Sequence, residues 1–377
     1  MIQSRSDPCV FYKRDKHGEP TLIVTMTVDD CAMGGTIESI DWLLNKIEQK
    51  FTITRGGQIR KHLGVDYTWL IDENDDPYIE VWMEKKRESI VKAYENWKGK
   101  ICKVRKTPSA PGSYLKKNQG EITNIKEYRS FEGKIMFYAT KVCPKIVNAT
   151  RELATHMSNP GEEHWKAMEH LVGYIKGTIG EPAMILHKPK EMRAVSFVDA
   201  SNANGVERRS VSGKLNTVGG MISAFSSRTQ KTTSMSSAES EYVAACSAAQ
   251  EILFQQMLLS EVFETVTPGV IYEDNKGTIY LSKNKQVSQR TKHIDIRYHF
   301  LREFVDKGSD GFARGTTMKF GIKDNYADIM TKSVDGNTFG YLGDDIDDGM
   351  KRFRSEELEC VIERRLTKFR IASELVI

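Results

Sequence analysis

The sequence has no closely spaced cysteine pair. Its six cysteines (Cys9, Cys31, Cys102, Cys143, Cys246, Cys360) lie far apart with no C-x-x-C. That argues against a zinc site and a secreted disulfide framework, and it points to a reducing, intracellular compartment, cytoplasmic or nuclear. Nor is there an apolar run near the roughly 20 residues a membrane helix needs, and the first ten residues (MIQSRSDPCV) lack the apolar core of a signal peptide. Net charge is small as well: 55 basic against 51 acidic side chains leave +4, which permits a nucleic-acid partner without requiring one. What is present suffices for folding. The 377 residues are 39% hydrophobic, enough for two or three domains with their own cores.

Short alternating runs come first. CVFYKR and TLIVTMTVDD, separated by the turn DKHGEP, have the β-branched, period-two character of strands. From Thr36 the period changes: Ile40, Leu43, Leu44, Ile47 and Phe51 recur at three-and-four spacing, behind Thr36 as N-cap and Glu38 in the first turn. This predicts an amphipathic helix laid on a sheet. ITRGGQIRKHLGVDYTWL and PYIEVWME predict further strands, and KKRESIVKAYENW a helix with Ile90 and Tyr94 on one face. The run 99–122 combines prolines, glycines and a basic cluster and reads as a surface linker. Residues 123–178 read as helical throughout, one helix opening at Asn159-Pro160 with Glu162 and Glu163 in its first turn.

Beyond Pro182 the strands return: AMILHK, AVSFVDAS, SGKLNTVGGMISAFSS and TTSMS. A long helix, AESEYVAACSAAQEILFQQMLLSEVF, follows, then the strand VIYEDN, two helices, the strand-like DGFARGTTMKFG and a last helix opening at ADIMTK. This is an α/β layer pattern. Four carboxylates fall at its edges: Asp199 ends the strand AVSFVD, Glu241 lies in the first turns of the long helix, Asp274 ends VIYED, and Asp328 opens the final helix. Strand ends and helix starts are where an α/β sheet gathers ligands. Read singly, each residue has an ordinary explanation as turn former, N-cap or solvated helix face. Gathered together, they would raise one another's pKa unless a cation such as Mg²⁺ neutralised them. Two hard cations about 3.5–4 Å apart would activate a water and stabilise the leaving oxygen of a phosphodiester.

The segments SFVDAS, SVSGKLNTVGGMISAFSSRTQK, SSAESEYVAACSAAQE, IYEDNKGTIYLSKN, RTKHIDIRYHFLRE and NYADIMTK resemble, in this order, the ribonuclease H region of copia-type long-terminal-repeat retrotransposon polyproteins. The resemblance implies that Asp199, Glu241, Asp274 and Asp328 are both the catalytic and the metal-binding residues, with Glu239 as rival for the glutamate. It also implies two Mg²⁺ or Mn²⁺ ions as cofactor, an RNA–DNA hybrid cut in its RNA strand as substrate, and other parts of the polyprotein as partners. Upstream, QSRSDPCVFYKRD, TVDDCAMGGT and IRKHLGVDYTW resemble the last third of the reverse transcriptase palm, with Asp29 and Asp30 as the polymerase carboxylates. EYRSFEGKIMFYATKVCPKI and MSNPGEEHWKAMEHLVGYIKGT resemble its thumb and connection. The implied architecture is multi-domain α/β: a partial palm over 1–98, a linker over 99–122, a helical thumb and connection over 123–190, a ribonuclease H-like mixed-sheet α/β domain over 191–342, and an unassigned tail over 343–377.

Two departures narrow what the resemblance implies. Thr27 stands where an aromatic normally precedes the V-D-D turn, and nothing before Met1 supplies fingers or the first palm aspartate. Polymerase activity is therefore not expected of this chain alone. A hybrid is held mainly through its phosphates and 2′-hydroxyls, and Arg209, Lys214, Asn275, Arg290, Lys292 and His293 are the candidates to line its groove. The competing reading is a decayed or co-opted fragment that binds nucleic acid without cutting it. No membrane partner is expected.

Overall fold

The structure, a computed structural model, describes all residues except 190, 203–207, 265–266, 284–294, 307–313, 320, 322–323, 352 and 354–377. Arg290, Lys292, His293 and most of the 343–377 tail lie outside the described residues. Three sheets organise the remainder. The first holds β1 (Ile2–Gln3), β2 (Val10–Arg14), β3 (Pro20–Thr27) and β4 (Asp30–Gly35), antiparallel and in chain order. Thr27 pairs with Asp30 across a two-residue turn in which Val28 takes φ 58°, the left-handed conformation that reverses a twisted hairpin. Helix α1 (Ile37–Glu48) follows, with Thr36 Oγ1 accepting from Ser39 N at 3.3 Å. Its apolar stripe is only half covered; Ser39 is the one buried residue in it, and Phe51 beyond is 67% exposed.

The second sheet runs β5 (Lys61–His62), β6 (Val65–Ile71), β7 (Pro77–Trp82), then β8 (Met184–His187), which arrives from about a hundred residues later to pair antiparallel with β7. Residues 53–60, expected to extend a strand, are irregular. Between β7 and β8 stand four helices: α2 (Glu84–Lys98), α3 (Ile125–Val142), α4 (Val147–Ala154) and α5 (Glu162–Gly177). As the spacing predicts, α2 buries Ile90 and Tyr94. Tyr94, Trp97, Phe131 and Trp165 form the aromatic centre of this layer, the two tryptophans stacked at 4.3 Å. Helix α5 starts differently from the expectation. Its cap is Gly161, whose N–H donates to His164 Nδ1 at 2.9 Å, while the Asn159 amide donates to Asn118 O in the preceding turn.

The third sheet contains β9 (Ala194–Ser201), β10 (Val211–Val218), β11 (Met221–Thr229), β12 (Gly269–Glu273) and β13 (Gly315–Lys319), in spatial order β11-β10-β9-β12-β13. β10 is antiparallel to both its neighbours, and β9, β12 and β13 are parallel. The crossover from β11 to β12 is helix α6 (Ser237–Phe263), followed after β12 by α7 (Lys276–Lys283) and α8 (Asp295–Val305). Central strand β9 is buried along its whole length. Its Ala194, Val198 and Ala200 pack on α6, where Ala244, Ala245, Ala248 and Ala249 let the helix lie close. Its Val195 and Phe197 face the other side. The TTSMS segment is not a strand: it is irregular and ends in the cap Ser236, whose Oγ accepts from Glu239 N while Glu239 Oε2 accepts from Met235 N.

The chain's last expected helix is two elements. A five-residue 3-10 helix covers Tyr326–Met330, capped by Asn325, and a separate helix α9 (Gly336–Asp347) is capped by Asp335. Asp328 therefore opens no helix. Asn325 spends its side chain on Val198 O and Ala327 N, tying the tight turn to β9. Helix α9 runs through residue 343, and Leu342, Ile346, Met350 and Phe353 join the core that holds Phe197. One apolar cluster thus extends from the second sheet through the four helices into the third sheet.

Candidate active site

Register places the acids. Tyr272 on β12 lies opposite Phe197 on β9 in a parallel pair, so two residues further on Asp274 arrives beside Asp199. The N-terminal turns of α6 cover the same edge and bring Glu241 to it. One carboxylate oxygen from each of Asp199, Glu241 and Asp274 lies within 4.8 Å of the others, and no second group of three such ligand residues occurs among the described residues. Asp199 is 1% exposed.

Asp328 joins indirectly. Lys332 Nζ donates to Asp199 Oδ1 and to Asp328 Oδ1, each at 3.0 Å, and Thr331 Oγ1 donates to Asp199 Oδ2. Gly213 makes that approach possible: it pairs with Asp199 on β10, and a Cβ there would sit 2.6 Å from Thr331 Cγ2 and 2.9 Å from Ala327 O. A side chain at 213 would push the 326–331 turn, and with it Lys332, off the sheet.

Sequence reasoning missed a fifth acid. Glu273, the last residue of β12, is fully buried, with Oε1 accepting from Asn275 N at 3.0 Å and Oε2 without a partner among the described residues. The signal is the E-D pair at the strand end, whose first member is as much a candidate as its second. Burial drives the Glu273 carboxyl well above the usual range, with Asp274 and Asp199 adding to it. Burial, then Glu273, Asp199 and Asp274, push Glu241 up to about 11. Burial and Asp199 raise Asp328 to about 7 against the pull of Lys332, and burial with Asp199 also raises Asp274. Burial opposes the Lys332 ammonium, but Asp199 and Asp328 outweigh it and raise its pKa.

Among the described residues, five carboxyls face one ammonium, a group short of positive charge. Glu241 Oε2, buried without a hydrogen-bond partner among the described residues, faces the same deficit. Hard oxygen donors converging with unmet charge fit a divalent cation of the Mg²⁺ or Mn²⁺ type.

The other expected residues divide. Glu239 caps α6 and stands outside the acid group. Lys214 does not line the groove: it faces α6, donating to Glu251 Oε2 at 2.9 Å and Ser247 O at 3.5 Å. The period of two decides this, because Lys214 pairs with Val198 of the α6-facing row while its neighbour Gly213 pairs with Asp199. Asn275 Oδ1 accepts from Gly277 N and Thr278 N at the start of α7. Arg209 is exposed, near the site edge of β10. Asp29 and Asp30 sit exposed at the β3–β4 turn, with no third acid joining them among the described residues.

No protein-family model matches the chain. Over 348 residues it is 29% identical to the retrovirus-related Pol polyprotein from transposon TNT 1-94 of Nicotiana tabacum, which covers 90% of this chain and 25% of that protein. Over 236 residues it is 32% identical to the retrovirus-related Pol polyprotein from transposon RE1 of Arabidopsis thaliana, covering 62% of this chain and 16% of that one. The chain thus spans a quarter or less of the length of these relatives. Among solved structures, LC11-RNase H1 from compost aligns at 12% identity over 42% of this chain and 99% of its own, with a TM-score of 0.30.

Proposed function

We propose, for a chain that belongs to the copia-type long-terminal-repeat retrotransposon Pol polyproteins, that the third sheet and α6 form a ribonuclease H cutting the RNA strand of RNA–DNA hybrids. The observation that carries this reading is the convergence of Asp199, Glu241 and Asp274 at one sheet edge, with Asp328 linked to them through Lys332.

Asp199, Glu241, Asp274 and Asp328 would hold the divalent ions. When bound, such ions supply activation of the attacking water and charge stabilisation of the leaving 3′ oxygen. The chain's own residues supply the frame. β9 and β12 fix two carboxylates in register, the first turns of α6 fix a third, and Thr331 and Lys332 hold Asp199 in one orientation. Glu273, bonded to Asn275 N, fixes the start of the loop that carries Asp274. The closely packed second face of β9 keeps the acid edge rigid.

Cleavage of an end-labelled RNA–DNA hybrid in Mg²⁺, with Asp274→Asn as comparison, tests this. Cutting by the unsubstituted chain and its loss in the variant are expected. Activity in neither would sink the enzymatic reading in favour of a fragment that binds without cutting. For the first sheet the proposal is the opposite one: two exposed aspartates that no third acid joins among the described residues do not make a two-metal polymerase centre. Templated incorporation by this chain alone would overturn that.

A further inference from the structure

The 99–122 segment has the composition of a linker but is pinned across helix α5. Its backbone meets the helix at two glycines one turn apart. A Cβ on Gly173 would lie 2.2 Å from the Lys103 carbonyl oxygen, and one on Gly177 2.9 Å from Val104 Cγ1. Arg105 N–H donates to Gly173 O at 3.1 Å, Lys176 Nζ to Cys102 O at 3.3 Å, and His170 Nε2 lies 2.9 Å from Thr107 O. The strap then runs into the turn beside the acid cluster. Gly112 N–H donates to Ser333 O at 2.7 Å, the Ser109 and Ser333 hydroxyls pair at 2.9 Å, and Thr107, Pro108 and Ser109 line a small cavity together with Lys332.

Along the stretch that leads from the glycine notch to that cavity stand Lys103, Arg105 and Lys106. All three are exposed, and none has an ion pair among the described residues, whereas Lys98 and Lys100 just upstream both face Glu169. Because their backbone is already fixed, binding an anion orders only the three side chains. Their position answers a problem of the site: a cluster of carboxyls repels the polyanion it is meant to cut, so fixed positive charge is needed alongside. A duplex carries one phosphate charge per about 1.7 Å of axis, so one seated at the acids passes several phosphates over its margins.

We propose that residues 103–106 form a rail for the phosphate backbone of the RNA–DNA hybrid, presented by the Gly173–Gly177 notch; this rests on the nuclease reading above. The probe is a fluorescein-labelled hybrid followed by anisotropy in an Asp274→Asn background, from about 50 to 200 mM KCl. Replacing Lys103, Arg105 and Lys106 together by Ala should make the slope of log K against log salt shallower by about 3 and weaken binding on the order of a thousandfold at the lowest salt, the deficit shrinking as salt rises. Removing as many charges at the exposed Lys85, Lys92 and Lys126 on α2 and α3 should leave the slope near that of the parent. Gly173→Ala keeps every charge and favours the helix, yet displaces the strap, and should lose part of the slope. A parent slope in the triple strap variant overturns the rail, and a parent slope in Gly173→Ala overturns its presentation by the notch. If the unsubstituted chain cuts no hybrid while strap-dependent binding persists, the nuclease reading fails and the rail stands.

Discussion

Glu241 and Glu239 sit two positions apart on α6 and differ in what surrounds them. Glu239 accepts from Met235 N at 2.7 Å and belongs to the helix cap, whereas Glu241 stands among Asp199, Glu273 and Asp274. In the cation-free chain, burial and those neighbours keep Glu241 protonated at neutral pH, so glutamine is a neutral isostere for it. Glu241→Gln should therefore leave stability in EDTA within about 1 kcal/mol of the parent, since no buried charge is lost or gained. It should still lower hybrid cleavage by more than about 100-fold, because an amide cannot ionise to hold a cation. Glu239→Gln keeps a capping acceptor and should keep cutting. Cleavage assays and urea melts on both variants decide the matter, and the reverse pattern would mean the helix presents Glu239 to the substrate. Sequence alone could not choose between the two glutamates; the family resemblance pointed to Glu241. It could have placed Lys214, because strand parity puts that residue on the α6 face with Val198. Glu273 was half legible: the E-D pair at the strand end marks two candidates, but that the first of them turns into the protein shows only in its fully buried position.

Among the elements, amphipathic helices and capped starts were the most legible: Thr36 before α1 and the Ile90–Tyr94 face of α2 follow from spacing. The ADIMTK turn was less so. Its Asp328 has the local signature of an N-cap, but Asn325 takes that role and Gly213 leaves room for a tight 3-10 turn on β10. That contact is between residues more than a hundred positions apart, so no local pattern encodes it. The join of α4 and α5 carries a pH response of its own. His156, after α4, is buried, has Nε2 without a partner, and stacks on His164 at 3.9 Å. Burial, then His164, hold its pKa down to about 4 against an opposing pull from the Leu115 backbone, with Arg151 adding a smaller push in the same direction as burial. A histidine with a depressed folded pKa gives full stability above its unfolded value of about 6.5, and loses it as pH falls from there toward 4. Raised carboxyls such as Glu132 act in the opposite direction, so the difference between the parent and His156→Gln isolates the histidine. Between pH 7 and 4.5 the parent should lose about 2 kcal/mol more than the variant in urea unfolding. Equal losses would show that the ring is protonated in the folded chain.

At the scale of the whole molecule, α6 is the common beam. Its 27 residues span about 40 Å, with Glu241 near one end and Glu261 near the other. The acid cluster and the first sheet therefore hang from opposite ends of one helix. The attachment at the far end is polar and narrow. Ser4 Oγ and Ser6 Oγ donate to the two Glu261 oxygens at 2.7 and 2.6 Å, Arg5 N donates to Oε2 at 2.9 Å, and Arg14 pairs with Glu264. The continuous apolar core, by contrast, includes nothing before Val65. A sheet held by a few polar contacts opens at lower cost than one sharing a core. Glu261→Ala should thus speed amide exchange across β1–β4 by about tenfold or more, since it strands three donors at one contact. A helix of this length, packed on β9 by its alanine face, does not pass that loosening to its other end, so hybrid cleavage should stay within about twofold of the parent. Exchange mass spectrometry on residues 1–35 together with the cleavage assay tests both halves. A fall in cleavage that tracks the loosened sheet would show that the first sheet takes part in holding the hybrid, and that the nuclease edge does not work on its own.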